Sequence, residues 1–588
     1  MDSTDTSQIY VTLGLLLATA LFYKYVFYPS VVSPLCRIPQ AHWSCSISPI
    51  WILWARYNSR ENRTLFEAHR DHGPIVRIGP SELSVNSVDA VKTIYQGGFD
   101  KHQWYSVFEN YGVPNVFSAA SARHHSIRKR MVSHVYSKSH IGASASLAAQ
   151  ADRVLNGRLL RALAASTAPR QEPHGLDVHS LFGAAAMDFI TAYCFGAARS
   201  TNFLAAAAYR AHWQALYATR KAHGFFEQEL PGLSAALRRV LRWGLTPAFV
   251  GAANREIEDW CRRMSDATMA DLMSEQQPQE EEGAEAGAGG RSRSRRRRAV
   301  AANTADDPVV VRALLAGLDK EEEANGAASL IHATALQQRG LAVASETIDH
   351  VLAGQETTGV ALTYATYHLS RSLDLQRELR AELLSLQPNM KLPRNGADGS
   401  GTGAAIPDSR QLDGLPLLHA VVTETVRRYA PAGGPEPRVT PVPSCRIGPY
   451  DVPGGVRVSA SPYNLHRDEA VFPEPEKWDH TRWLGLPKNG QGATATSAAA
   501  AGGDDEEGEG RPGLSDVHRQ FWGFSSGGRM CLGSNFAMHV MKLTIAAIYS
   551  NYTSHIVDDT GIEPTDAYTG HPTSNSLYLR FERVIDDD

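Results

Sequence analysis

The first strong pattern along the chain is apolar. Ile9 to Val26 reads IYVTLGLLLATALFYKYV and is interrupted only by Lys24. At about 1.5 Å per helical residue it can nearly cross a hydrocarbon layer of about 30 Å. Asp2 and Asp5 precede it, while Lys24 and Arg37 follow. That asymmetry predicts a single span with the following chain on the cytosolic side. A cleaved leader favours a basic start and small residues at the cut. This segment starts acidic and runs into Tyr23, Tyr25 and Phe27, so a retained anchor over residues 1–28 is expected. Pro29, Pro34 and Pro39 then read as a stiff linker off the membrane.

Beyond the anchor the periodicity changes several times. From Trp51 a helical pattern gives way to β-branched alternation in PIVRIGPSELSVNS, broken by Gly79-Pro80. Ser121 to Leu386 is mostly helical, with apolar residues three and four apart. Short strands return between Arg438 and Val458, with a turn at Pro453-Gly454-Gly455. A long helix is predicted from near Cys531 through FAMHVMKLTIAAIYS, and the closing SNSLYLRFERV alternates like a strand. Helices dominate and strands cluster at the edges, which predicts a mainly α fold with small β-sheets (α+β) over residues 29–588. Low-complexity insertions interrupt it near 275–306, 395–407 and 487–513. None can bury a core, so surface loops are expected. The arginine block 291–298 reads as a solvated charge run, with anionic lipid or a sorting role as the alternative.

Composition narrows the class. The 588 residues are 43% hydrophobic and 20% charged, enough for a large core. A formal net charge of −4 leaves no basic footprint, so nucleic acid is not an expected partner. The six cysteines are scattered, without a CxxC or a zinc-type cluster, and most read as reduced core thiols. The sequons at Asn62 and Asn551 would never meet the glycosylation machinery on the cytosolic side.

Candidate chemistry gathers around one of those cysteines. Phe524-Ser525-Ser526-Gly527-Gly528-Arg529-Met530-Cys531-Leu532-Gly533 surrounds a thiol with features that suit a thiolate. Gly527, Gly528 and Gly533 permit tight turns and close approach of a flat ligand. N–H groups at a helix start favour negative sulfur. Arg529 can pair with an anionic group, and Phe524 can pack against the sulfur. The spacing F-x-x-G-x-R-x-C-x-G resembles the haem-binding loop of the cytochrome P-450 family, with Ser525 standing where many members carry Gly. A G-x-S-x-G nucleophile elbow overlaps it at Gly523 to Gly527, with Asp559 and His571 following in hydrolase order. RQFWGF makes a poor buried strand and little chain remains after it, so a serine hydrolase is disfavoured.

Other segments resemble the same family in the same order. Ala353-Gly354-Gln355-Glu356-Thr357-Thr358 is similar to its oxygen-activating helix. A Gly and two Thr are poor mid-helix residues, so a local bend or opening is expected there, freeing the Thr357 hydroxyl from its own backbone. Glu424 and Arg427, three apart on one helix face, resemble the family's buried structural pair, with Arg482 as the third member. His124 and Arg128 resemble the pattern that contacts haem propionates, with His125 as an alternative to His124. Arg438 matches a further propionate contact, and Lys129 and Arg130 would add charge where an acidic electron donor docks.

The resemblance implies a cytochrome P-450 fold behind a single transmembrane helix in the endoplasmic reticulum membrane. It implies haem b with Cys531 as the metal ligand, Glu356 and Thr357 in proton delivery, and Phe524, Gly527, Arg529, Gly533, Arg128, His124 and Arg438 around the cofactor. The implied reaction is insertion of one atom of O2 into a lipophilic small molecule, by hydroxylation or epoxidation. No flavin or nicotinamide motif is evident, so a separate NADPH-dependent diflavin reductase is the implied electron source. The style resembles fungal members that tailor secondary metabolites. The alternatives are a haem-thiolate isomerase or dehydratase, or a haem-thiolate sensor. The substrate pocket is expected near Tyr111–Phe117, Phe203–Phe226 and Ala353.

Overall fold

The computed structural model describes residues 3–167, 174–242, 244–276, 304–393, 403–484 and 514–584. Most of each low-complexity insertion, including the arginine block 291–298, lies outside the described residues. Helices dominate, as the periodicity predicts. Seven matter for the site: α1 (Ser3–Phe22), α2 (Ala122–Val132), α3 (Val178–Phe195), α4 (Ala207–Ala222), α5 (Arg339–Ser370), α6 (Pro416–Arg428) and α7 (Ser534–Tyr549).

The centre is the pair α3 and α5. Both are largely apolar; α3 is almost wholly buried and α5 is buried over most of its length. They approach closely because glycines line the contact. A Cβ on Gly359 would meet the Gly183 backbone at 2.9 Å, and one on Gly354 would meet Ile190 at 2.9 Å. The expected local opening in α5 is absent: its 32 residues form one unbroken helix, and Gly354 serves close packing. The helical core also takes in most of α7, including Val540, Leu543 and Ala547.

Among the described residues, three small sheets lie at the edges. The largest has the order β1-β2-β8-β5-β3, from Ile75–Gly79, Glu82–Val85, Arg457–Ser459, Arg438–Val439 and Asp100–Lys101. Only its β2–β8 pair is parallel. A second sheet joins β4 (Leu176–Asp177), β10 (Tyr578–Arg583) and β9 (Tyr552–Asp558), and β6 (Ser444–Ile447) pairs with β7 (Tyr450–Pro453). The large sheet owns a separate apolar core that includes Ile75, Leu83, Tyr95 and Trp522. Phe521, Phe524 and Leu532 pack on the helical core instead. The Cys531 loop thus bridges two cores, with Trp522 in one and Phe524 on the other.

At the N-terminal end, α1 continues through a wider turn over Tyr23–Val32. Gln8–Val32 is apolar enough to cross a membrane, and none of it is buried. The prolines that follow are not a free linker. The buried Arg77 donates from its side chain to the Pro29 carbonyl at 2.8 Å and from its main chain to the Pro39 carbonyl at 2.7 Å, fastening this segment to β1.

Candidate active site

The loop from Trp522 to Gly533 is held by its own backbone and by three neighbours. The Cys531 N–H donates to the Phe524 carbonyl at 2.9 Å, closing the bulge. Gly527 has φ +73°, and a Cβ there would strike the Tyr95 carbonyl at 2.3 Å, so both conformation and space demand glycine. Ser525 also sits at positive φ, +59°, which explains the family's preference for Gly. Its hydroxyl donates to Glu436 Oε2 at 2.8 Å in return. The Trp522 indole donates to Ser526 Oγ at 2.9 Å. The segment before the loop is the helix Leu514–Gln520, and the motif serine is bound to Glu436, so the nucleophile-elbow geometry is absent.

Cys531 is accessible yet enclosed by enough protein to desolvate it, which places it in a recess rather than on the outer surface. Burial pushes its thiol up to about 11, against a hydrogen bond from the Gly533 N–H and the charge of Lys129. The position of a Gly533 Cβ is open space, with nothing within 4 Å.

A cluster of bases borders this recess. Lys101 and Arg438 are cross-strand partners on β3 and β5, so sheet register brings them together. Arg438 donates to Tyr105 Oη at 3.1 Å and pairs with Glu436 at 3.3 Å. Arg529 donates to the carbonyls of Ala119 and Ala120, each at 2.6 Å. His125 is buried on α2, and Lys129, one turn on, donates to the Gly528 carbonyl at 2.7 Å. Burial acts on all of them and mutual repulsion on Lys101, Arg529, His125 and Lys129, whereas Tyr105, Glu436 and Tyr95 hold Arg438 above the arginine range despite burial. Lys101 is held well below the lysine range by burial, Arg438 and Arg529. Burial and Arg438 bring Arg529 down to about 10, and burial with Arg529 and Lys101 brings His125 to about 3. Glu436 and Asp100 are too few to balance these charges. The cluster lacks an anion, and a dianionic ligand edge fits it. A thiol on the recess, an open glycine beside it and a surplus of buried cations together fit a haem with its two propionates.

His124 does not join this cluster. It is exposed on α2, while His125 points inward. Arg128 is buried but turns elsewhere, donating to Thr334 Oγ1 at 2.9 Å and lying near Glu346 and Glu109. One residue of helix rotates a side chain by about 100°, so the inward i,i+4 pair is His125 and Lys129. Lys129 therefore faces the loop rather than an external donor.

The other wall comes from α5. Between Ile348 and Thr358 only Asp349, Leu352, Ala353, Gly354, Glu356 and Thr357 keep exposure, a single stripe on a buried helix. Asp349 lies within electrostatic range of Cys531. Thr357 donates its hydroxyl to the Ala353 carbonyl at 2.8 Å, so it bonds its own backbone after all. Glu356 forms an ion pair with Lys221 of α4 and accepts from Tyr217 Oη at 2.6 Å and Thr569 Oγ1 at 2.9 Å. Burial would raise this carboxyl, but Lys221 and the hydrogen bonds hold it below the usual range.

Behind the loop lies a fully buried lock. Glu424 and Arg427 of α6 form a two-pronged pair, both bonds 2.8 Å. Glu424 also accepts from the Trp483 indole at 2.9 Å and the Asp479 N–H at 2.8 Å, and Arg482 stands 3.5 Å away. Arg427 spends its remaining donors on the carbonyls of His466, Pro475 and Lys477.

Four residues of this arrangement escape a motif search: Lys101, Glu436, Lys221 and Asp349. Register could have suggested Lys101 and Glu436 only once β3 and β5 were paired. Helical spacing from Ala353 could have suggested Asp349, one turn earlier.

The cytochrome P-450 family model matches residues 316–578, which hold α5, the lock and the Cys531 loop. A cytochrome P-450 monooxygenase of Aspergillus versicolor is 26% identical over 492 residues, 81% of this chain and 95% of its own. One of Aspergillus hancockii is 25% identical over 528 residues, covering 87% of this chain and 83% of its own. One of Gibberella zeae is 24% identical over 572 residues, covering 96% and 93%. The likeness runs through nearly the whole chain and includes both walls of the recess: the chain is similar to fungal cytochrome P-450 monooxygenases.

Proposed function

We propose that this chain is a membrane-anchored haem-thiolate monooxygenase in which Cys531 holds the iron and the substrate is a lipophilic small molecule. The observation that carries it is the recess itself, with a thiol and an unbalanced cationic cluster on one side and the Glu356–Thr357 stripe on the other. Haem bound through a thiolate supplies reductive activation of O2, with one atom going to substrate and the other leaving as water.

The chain's own residues supply position, charge and protons. Arg529, Arg438, Lys101 and Lys129 offer donors for the propionates, with His125 beside them. Glu436 ties Arg438 to Ser525, so the propionate side and the Cys531 loop move as one unit. Thr357 donates its hydroxyl hydrogen bond to the Ala353 carbonyl yet keeps an acceptor oxygen on the open stripe. Glu356, ionised beside Lys221, gathers the hydroxyls of Tyr217 and Thr569 one residue away. That set forms a proton path from α4 to the stripe. A retained acid–alcohol pair favours oxygen activation over an isomerase or a sensor.

Gln8–Val32 is taken to span the endoplasmic reticulum membrane once, with the catalytic domain cytosolic and a diflavin reductase as electron donor. Secondary-metabolite tailoring is the first role to test. Cells with and without the protein are grown under isotopically heavy O2 and their metabolites compared. A product carrying one heavy oxygen atom only when the protein is present supports the reading. Label entering from water instead, or no protein-dependent product, counts against it.

A further inference from the structure

Asp349 is the one carboxyl on the open stripe of α5 that no other group engages. It stands one helical turn before Ala353 and two before Glu356, and thus near the same face of the helix. Glu356 is saturated by Lys221, Tyr217 and Thr569. Glu346, one turn earlier, accepts the Val116 N–H at 3.1 Å. Among the described residues, Asp349 has no side-chain hydrogen bond and no ion pair.

The surrounding bases make their hydrogen bonds to other groups, although Arg220 Nη1 and His350 Nε2 are buried without a hydrogen-bond partner. Lys101 donates to the Phe117 carbonyl at 2.6 Å and lies over the rings of Tyr105 and Phe117, at 4.1 and 4.2 Å. Arg220 donates to Asn110 Oδ1 at 3.3 Å. His350 meets Tyr136 Oη at 2.9 Å and faces Glu346 at 3.5 Å. The hydroxyls of Tyr217 and Tyr136 go to Glu356 and His350. A carboxyl without a partner on an apolar wall is costly unless something binds it.

We infer that Asp349 is a specificity-determining residue that receives a basic nitrogen of the substrate, so that this enzyme favours lipophilic amines over neutral molecules of the same shape. The inference rests on the proposed reading of the recess as the place of reaction. Burial and Glu346, against His350, Lys101 and Arg220, bring the Asp349 carboxyl to about 7. Near neutral pH it is therefore ready to ionise when a cation arrives, which adds a charge-assisted hydrogen bond to the burial of the apolar body.

The test uses haem-loaded full-length protein in detergent and two probes. One is N,N-dimethyl-4-phenylbutylamine; the other is its carbon isostere, (5-methylhexyl)benzene. Binding is read by calorimetry, and the Soret band is followed to detect any nitrogen bound to iron. The amine is expected to bind at least about tenfold more tightly than the isostere, a ratio equal to about 1.4 kcal/mol. Asp349→Asn should abolish that preference and leave isostere binding unchanged, and Asp349→Leu should behave alike. Equal binding of both probes to the unaltered protein would overturn the inference, as would a preference that survives Asp349→Asn. A protein that takes up no haem would instead defeat the underlying reading, so the two failures are told apart.

Discussion

His466 joins Arg427 to Trp522. Its Nε2 accepts the Trp522 N–H at 2.8 Å, and its Nδ1 donates to the Arg427 carbonyl at 2.9 Å. Burial and the charge of Arg427 bring the imidazole down to about 3, so it stays neutral and keeps one acceptor nitrogen at physiological pH. The lock of Glu424 and Arg427 is thereby connected to the first residue of the Cys531 loop. Removing one partner leaves a buried charge uncompensated, which costs about 3–5 kcal/mol. Arg427→Met should therefore abolish soluble, folded protein. His466→Ala should spare the lock and lower haem retention, measured as haem per chain after purification. Full retention in His466→Ala would mean that the connection does not position the loop.

Ser525 combines a backbone cost with a side-chain gain. Left-handed backbone at a non-glycine residue costs about 1–2 kcal/mol, and a hydrogen bond to a charged group returns about 1.5–3 kcal/mol. Ser525→Ala keeps the cost and loses the bond to Glu436, so its melting temperature should fall while the haem spectrum is kept. Ser525→Gly loses both and should melt close to the parent protein. An unchanged melting temperature in Ser525→Ala would mean that the Glu436 bond contributes nothing.

Lys221 controls the charge of Glu356. With Lys221 present the carboxyl is depressed, so it is ionised at neutral pH and takes up a proton only on acidification. In Lys221→Met, burial becomes the dominant influence and the carboxyl moves up. The pH at which oxygen consumption becomes coupled to product should then shift upward, read as the share of reductant lost to peroxide. Thr357→Ala should uncouple the reaction at every pH. A pH profile unmoved by Lys221→Met would contradict the proton path.

The inward face of α2 separates two neighbouring histidines. His124→Ala should leave haem affinity unchanged, because that side chain is exposed. His125→Ala and Lys129→Ala should each weaken haem affinity several-fold, measured by haem titration of the apoprotein, with removal of a charge-assisted donor setting the larger loss in Lys129→Ala. The reverse order would return the propionate contact to His124.

Much of this site is legible in the sequence because each loop residue answers its own constraint. Gly527 must reach positive φ, Arg529 must be cationic, and Cys531 must be a thiol. The Glu424–Arg427 pair follows from helical spacing in the same way. What stays hidden depends on long-range placement. Lys101 meets Arg438 only through strand register, and Lys221 reaches Glu356 only because α4 crosses α5. Spacing alone fits His124 with Arg128 as well as His125 with Lys129; the burial of His125 and the bonds of Arg128 to Thr334 and of Lys129 to Gly528 separate them. Helix propensity predicts a local bend or opening around Gly354 and Thr357. Close packing of α3 on α5 overrides it, since Gly354 and Gly359 fill contacts that no larger residue could share.

The central claim is that Cys531 carries the haem iron through sulfur. Carbon monoxide added to the reduced, full-length protein tests it most directly. The expected result is a Soret band at the long-wavelength, thiolate-type position, lost in Cys531→Ala and kept in Ser525→Ala. A band at the shorter wavelength typical of a neutral axial ligand, or a thiolate-type band that persists in Cys531→Ala, would contradict the account.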